Sequence, residues 1–332
     1  MTTRSPSTYS MLKQTAADWA EDKAMKLSAA LALYAILSLA PLLVVSIKIL
    51  SMIFGQKAAA GQVQRQMNML VGHAGSQAVQ EMIANAAKPG AGVVATLISL
   101  AIVLFSASGV FGELQDSLNI IWEVKPKPHQ GVWATVKSRL LSIGMVFTIA
   151  FLLLISLFIS TLLTTLTGSL LPSASAAIAI AIDILVSIVV VSALMAMIFR
   201  ILPDVKVAWR DVLVGALLTG ILFKLGQYGL GLYFKFGSST SAYGAAGSFV
   251  AVLLWVYYSA WILFFGAEFT QVWSKSHGRW PEPSDNAVKV TDEDRAQLGM
   301  VSPKRLQCLA STDNNKTSLP PTRSPAMKTS LL

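Results

Sequence analysis

Six runs of apolar residues, each long enough to cross a bilayer as a helix, constrain this chain more than any other feature. They lie at Leu27–Phe54, Gly92–Gly112, Leu140–Thr167, Ala176–Leu202, Val212–Phe234 and Tyr243–Trp273. A hydrocarbon core about 30 Å thick needs about 20 apolar residues of helix. Backbone polar groups inside lipid must be satisfied within the segment itself, which selects the helix. Composition agrees, with 54% hydrophobic and 13% charged residues, against about 25% charged in a soluble domain. Several runs exceed the minimum, which permits tilt and fixes no angle. The expected fold class is therefore all-α: a polytopic membrane helical bundle of six transmembrane helices. Residues 1–26 precede it, the membrane domain covers 27–274, and a tail covers 275–332.

The basic residues orient this bundle, because cytoplasmic loops carry an excess of Lys and Arg. Arg4, Lys13, Lys23 and Lys26 precede the first run. Lys125, Lys127, Lys137 and Arg139 follow the second, and Arg200, Lys206 and Arg210 flank the loop after the fourth. These eleven are joined by nine in the tail, whereas the alternate loops hold Lys57, Arg65, Lys88 and Lys235. Twenty against four places both termini in the cytoplasm. Residues 1–26 are polar and lack an apolar stretch ending at a small-residue cleavage site, so no cleaved signal is expected.

Two stretches outside the runs have helical spacing. Residues 58–88 place Val63, Met67, Leu70 and Val71, then Val79, Met82 and Ile83, on shared faces, broken by Gly72 and Gly75, which predicts short amphipathic periplasmic helices. Residues 113–124 place Leu114, Leu118 and Ile121 on one face with Trp122 beside them, which predicts a short helix lying at the cytoplasmic interface. The tail is rich in Pro, Ser, Thr and Asn and reads as disordered. Net charge is +9, but it is spread over loops and tail, so no nucleic acid partner is expected. Cys308 is the single cysteine, and His73, His129 and His277 fall in three separate segments. No metal site, cofactor or catalytic group is expected.

Ionisable groups within the apolar runs are costly, about 2.5–3.5 kcal/mol each at a helix centre on insertion scales, and point to function. Lys224 lies twelve residues past Val212, about 18 Å into the fifth run. Ala216, Gly220, Lys224 and Tyr228 share one face at four-residue spacing, and the small residues admit a neighbouring helix. Lys224 is thus a contact for an anionic substrate, or else a structural ion pair or a snorkelling lysine. Asp183 lies about 10 Å inside the fourth run, and with Lys224 it would line one polar path. Lys48, near the outer end of the first run, reads as snorkelling.

At the cytoplasmic side, Glu268 lies one to two turns inside the last run, either in a substrate path or in a structural pair with Arg200 or Arg210. Glu113 and Asp116 stand at the start of the interfacial helix, where capping competes with a site. Arg200, Asp211 and Trp209 read as interface anchoring around Pro203. The glycine- and hydroxyl-rich stretch 237–248 is either a tight turn or a headgroup contact.

Four segments carry a family resemblance: AALALYAILSLAPLL (29–43), FGELQDSLNIIWEV (111–124), RILPDVKVAWRDVLVGALLTGILF (200–223) and YGAAGSFVAVLLWVYYSAWILFFGAEFT (243–270). In this order they are similar to the YihY / virulence factor BrkB family of bacterial inner-membrane proteins, over about residues 15–275. Tyr34 is kept where the family often has two adjacent tyrosines. The resemblance implies a six-helix cytoplasmic-membrane protein and heightens interest in Glu268, but carries over no catalytic residues. The expected function is transport or envelope maintenance for a lipid-like or amphipathic substrate, with no chemistry of its own. Membrane lipids are the expected partners, and the small-residue faces permit homo-oligomers. The alternatives are a membrane-associated ribonuclease, a label some family members carry, and a scaffold recruiting partners through its tail.

Overall fold

The computed structural model describes residues 7–38, 109–127, 176–236, 247–297 and 299–300. The run at 140–167, most of 27–54 and 92–112, the segment 58–88, and Lys48, His73, His129 and Cys308 lie outside the described residues. Six helices belong to one compact unit: α1 (Thr8–Glu21), α2 (Ala24–Ser38), α3 (109–121), α4 (Ala176–Ile201), α5 (Trp209–Phe236) and α6 (Gly247–Ser276). Four short strands accompany them: β1 (Val124–Pro126), β2 (Val205–Lys206), β3 (Glu282–Pro283) and β4 (Ala287–Lys289). Three helices are long and apolar enough to cross a membrane, over Ile184–Ile201, Trp209–Tyr233 and Val252–Ser276. They coincide with the fourth, fifth and sixth runs.

Small residues decide how these three pack, because lipid supplies no hydrophobic drive for one apolar helix to prefer another. On α5 the sequence GALLT (215–219) recurs on α6 as GAEFT (266–270). A Cβ on Gly215 would collide with Thr270, and one on Gly266 with Thr219. Each helix thus seats its threonine on the other's glycine, which requires the two to run antiparallel. The threonine hydroxyls donate to Gly215 O and Gly266 O one turn back on their own helices, both at 2.7 Å, so neither is orphaned at the crossing. Ala216 and Ala267 are fully buried. On the next face, Gly220 lies against Ser192 and the Ile188 carbonyl of α4. Leu213, Leu217, Ile221 and Leu225 form the opposite, exposed stripe of α5, as a lipid-facing surface requires.

The main core sits at one end of these helices. Leu31 of α2, Leu118, Ile121 and Trp122 of α3 and its end, Phe199 and Leu202 at the end of α4, Val207, Val212 of α5 and Phe264 of α6 pack together there. The apolar face of α3 is therefore buried in protein, where an interfacial helix would leave it to lipid. α3 also begins by residue 109, four residues before the expected start. Antiparallel strand pairs tie the same end together. Val124 pairs with Lys289 and Pro126 with Ala287, while Val205 pairs with Pro283 and Lys206 with Glu282. Residues 282–289, part of the tail expected to be structureless from Lys275, thus form strands in these pairs. Their partners lie about 76 to 165 residues away, out of reach of any local pattern. The segments richest in Lys and Arg after the second run, after the fourth and after the last all meet here.

α1 was not foreseen as a helix. Ser7 caps it, accepting from Ser10 N at 3.3 Å. Met11, Thr15 and Asp22 form one buried line at spacings of four and seven residues. Met11 packs with Phe269 and Val272 of α6, and Trp19 meets Trp261 edge-on at 5.3 Å. The turn into α2 places Lys23 at φ 54°, and Glu123 ends α3 at the same value. A second compact unit starts at Val290 and contains α7 (Asp292–Gln297), capped by reciprocal hydrogen bonds between Thr291 and Asp294.

Candidate functional site

Two polar regions interrupt the apolar helices. The first surrounds Lys224. The close approach at Gly220 brings α5 against α4, and one turn further on Lys224 Nζ donates to Ser187 Oγ at 3.2 Å. The ammonium also lies 5.6 Å from the centre of the Tyr228 ring, within cation–π range. Lys224 is half-buried and Tyr228 more than half exposed, so this cation stands at the seam between the packed face of α5 and its apolar stripe. Asp183 lies on α4 one turn before Ser187, and its side chain is outside the described residues. Most of the stretch 237–248 is outside them too.

The second region is a buried layer at the core end. Glu268 is fully buried on α6, and neither carboxylate oxygen has a hydrogen-bond donor among the described residues. Neither Arg200 nor Arg210 supplies one. Arg200 instead lies over the Trp209 ring, 5.7 Å from its centre. The charged groups that act on Glu268 are Asp22, itself 3% exposed, and Asp18, both adding negative charge, with Lys275 as the opposing cation. Asp18 accepts from Gln14 at 3.2 Å, and burial nevertheless holds its carboxyl above the ordinary range. Lys275 is drawn aside by Glu123 at 3.3 Å.

Around that layer several polar groups are matched, whereas the Ser117 hydroxyl and the Trp122 indole N–H have no partner among the described residues. Asp211 is fully buried and pairs with Arg279 at 2.6 Å, while Ser274 donates to its second oxygen at 3.1 Å. Asn119 donates to Asp204 and accepts from its backbone N–H at 3.0 and 2.8 Å. Gln271 donates to Ile121 O at 2.6 Å. Glu113 stands at least four residues inside α3, too deep for a first-turn cap, and its carboxyl is pushed up by burial and by the nearby Asp116 charge.

The structure thus separates the predicted residues into groups. Lys224, Tyr228, Gly220 and the α4 surface come together. Glu268 belongs elsewhere, in the buried layer at the core end, while Asp211 and Arg200 have separate partners near the same end. Sequence reasoning missed Asp22, Arg279 and the GALLT/GAEFT pair. The signals were present: Asp22 continues the Met11–Thr15 line, and the pentapeptides repeat openly. Among the described residues no group of three or more His, Cys, Asp or Glu is placed to hold a metal ion.

Comparison with known proteins adds a family. A family model described as Virulence factor BrkB matches residues 15–290. A UPF0761 membrane protein of Tolumonas auensis is 35% identical over 75 residues, 22% of this chain and 25% of the relative. One of Yersinia pestis is 39% identical over 75 residues, 22% of this chain and 26% of the relative. These matches span about a quarter of the length of the curated relatives. No solved structure matches the chain.

Proposed function

Because the chain belongs to the virulence factor BrkB family of membrane proteins, we propose that it transports or maintains a lipid-like or amphipathic envelope component, with no bond chemistry of its own. The reading places six spans in a bacterial inner membrane with both termini in the cytoplasm. The meeting of β1, β2, β3 and β4 at one end supports it, since these strands flank or lie in the segments expected inside. A tag on the last residue should then react only after cells are opened.

The observation that carries the functional reading is the placement of Lys224. A cation inside an apolar helix, held by Ser187 on the neighbouring span and reachable beside an exposed apolar stripe, is suited to an anionic headgroup whose acyl chains lie along that stripe. The ammonium supplies charge attraction, Ser187 fixes its position, and Tyr228 lines the approach. Reconstitution into vesicles with a labelled anionic lipid tests this. Movement of the label should exceed that of protein-free vesicles, fall in Lys224→Met and recover in part in Lys224→Arg. Movement no faster than in empty vesicles contradicts the proposal.

A further inference from the structure

The antiparallel crossing of α5 and α6 fixes where their ends lie. Gly215 faces Thr270. Trp209, six residues before the one, starts α5, and Ser276, six residues after the other, ends α6. Both helices therefore stop at one level, about 9 Å along the axis from that contact. Each end carries an exposed tryptophan: Trp209 is 51% exposed, and Trp280, four residues past the end of α6, is 65% exposed. Tryptophan gathers at the membrane–water boundary, where its ring meets apolar chains and its N–H meets water. Two such rings at one end of two apolar spans mark the headgroup level.

Both rings lie under cations, but not equally. Trp209 has Arg200 at 5.7 Å from its centre, whereas Trp280 has two ammoniums, Lys275 at 5.8 Å and Lys289 at 6.0 Å. These two come from different elements: Lys275 from the last turn of α6, and Lys289 from β4, where pairing with Val124 sets its place. Lys275 shares its charge with Glu123 at 3.3 Å, while Lys289 is exposed and has no ion pair among the described residues. The acids of the adjoining strand and turn act on another cation, Asp285 pairing with Lys206 at 2.7 Å and the Glu282 charge also bearing on Lys206. Positive charge is thus left in excess around an exposed aromatic ring. We propose that Lys275, Lys289 and Trp280 bind the headgroup of an anionic phospholipid at the membrane surface, the ammoniums meeting its phosphate and the indole lying against the glycerol and the first acyl carbons. Charge complementarity and depth select this occupant. The site rests on reading α5 and α6 as membrane spans, and not on transport at Lys224. It is a rim contact that exchanges with the bilayer, separate from the seam beside Lys224.

Emission of Trp280, taken as wild type minus Trp280→Phe, reads the site with the full chain in vesicles. Phosphatidylglycerol brominated on the acyl carbons nearest the headgroup should quench this emission about fivefold more effectively than equally brominated phosphatidylcholine, the preference expected of one lysine at an anionic surface. Lys289→Gln should remove most of the preference and keep the quenching by phosphatidylcholine, since β4 pairs through its backbone and an exposed glutamine leaves that pairing intact. Lys289→Arg should retain the preference. Lys224→Met should leave it unchanged, so failure of the transport reading and failure of this site are told apart. Equal quenching by the two lipids in wild type overturns the proposal, and that arm needs no lysine variant to fold. A preference that survives Lys275→Gln combined with Lys289→Gln overturns it as well. So does an absence of quenching by either lipid, which would put the ring in water or beneath another chain.

Discussion

The regions around Lys224 and Glu268 place charge in apolar helices by opposite means. Lys224 is half-buried, bonded to a hydroxyl of the next helix and edged by an exposed ring. Glu268 is fully buried on α6, and both of its oxygens lack a donor among the described residues. The difference lies in the supporting packing. Near Lys224 one close approach, Gly220 against Ser192, suffices to seat the side chain. Near Glu268 two glycine–threonine crossings, a docked N-terminal helix and two strand pairs exclude solvent. An accessible cation suits a ligand that comes and goes, whereas a sealed carboxyl keeps one out.

The comparison breaks first if the glycine crossings do not hold the end layer. Gly266→Leu drives a side chain into Thr219 and should cost more than about 4 kcal/mol, seen as loss of the monodisperse peak in detergent. Gly229→Leu, on α5 with nothing near its Cβ position, should leave that peak intact. Next in size is Arg279→Ala, which leaves the buried Asp211 carboxylate with Ser274 alone and should cost about 2 kcal/mol. Adding Asp211→Asn should recover most of the lost thermal stability. Lys224→Met should change thermal stability by less than about 1 kcal/mol, because Lys224 is only half-buried, where a polar contact is screened, and Met fills the same space. A drop as large as that of Arg279→Ala would make Lys224 structural and erase the contrast.

The smallest effect concerns Glu113, whose carboxyl is raised by burial and by Asp116. A raised value means that the folded state holds the proton more tightly than the unfolded chain does. Its contribution is present at pH below the ordinary carboxylate range and is lost as pH rises through the raised value. Glu113→Gln should therefore stabilise slightly near neutral pH, by well under about 1 kcal/mol in so screened a setting, and change nothing in acid. Thermal melts at the two pH values check the sign.

The three long spans were legible because length and hydropathy are local properties, and α4, α5 and α6 fall within a few residues of the expected runs. The Gly220 face was legible for the same reason: four-residue spacing on a helix fixes which side chains share a face. What escaped depended on distant partners. Nothing local marks Arg279 as the partner of Asp211, or residues 282–289 as strands, because their partners lie far back in the chain. The apolar face of α3 was visible, but only tertiary packing decides whether protein or lipid covers it. α1 had a local signature in Ser7, Met11, Thr15 and Asp22, obscured by the polar residues around it.

The central claim is that Lys224, and not the Glu268 layer, receives an anionic amphiphile. Native mass spectrometry of the protein released from membranes rich in anionic lipid measures this directly in wild type, Lys224→Met and Glu268→Gln. Retained lipid should fall severalfold in Lys224→Met and match wild type in Glu268→Gln. Equal retention in wild type and Lys224→Met would contradict the account.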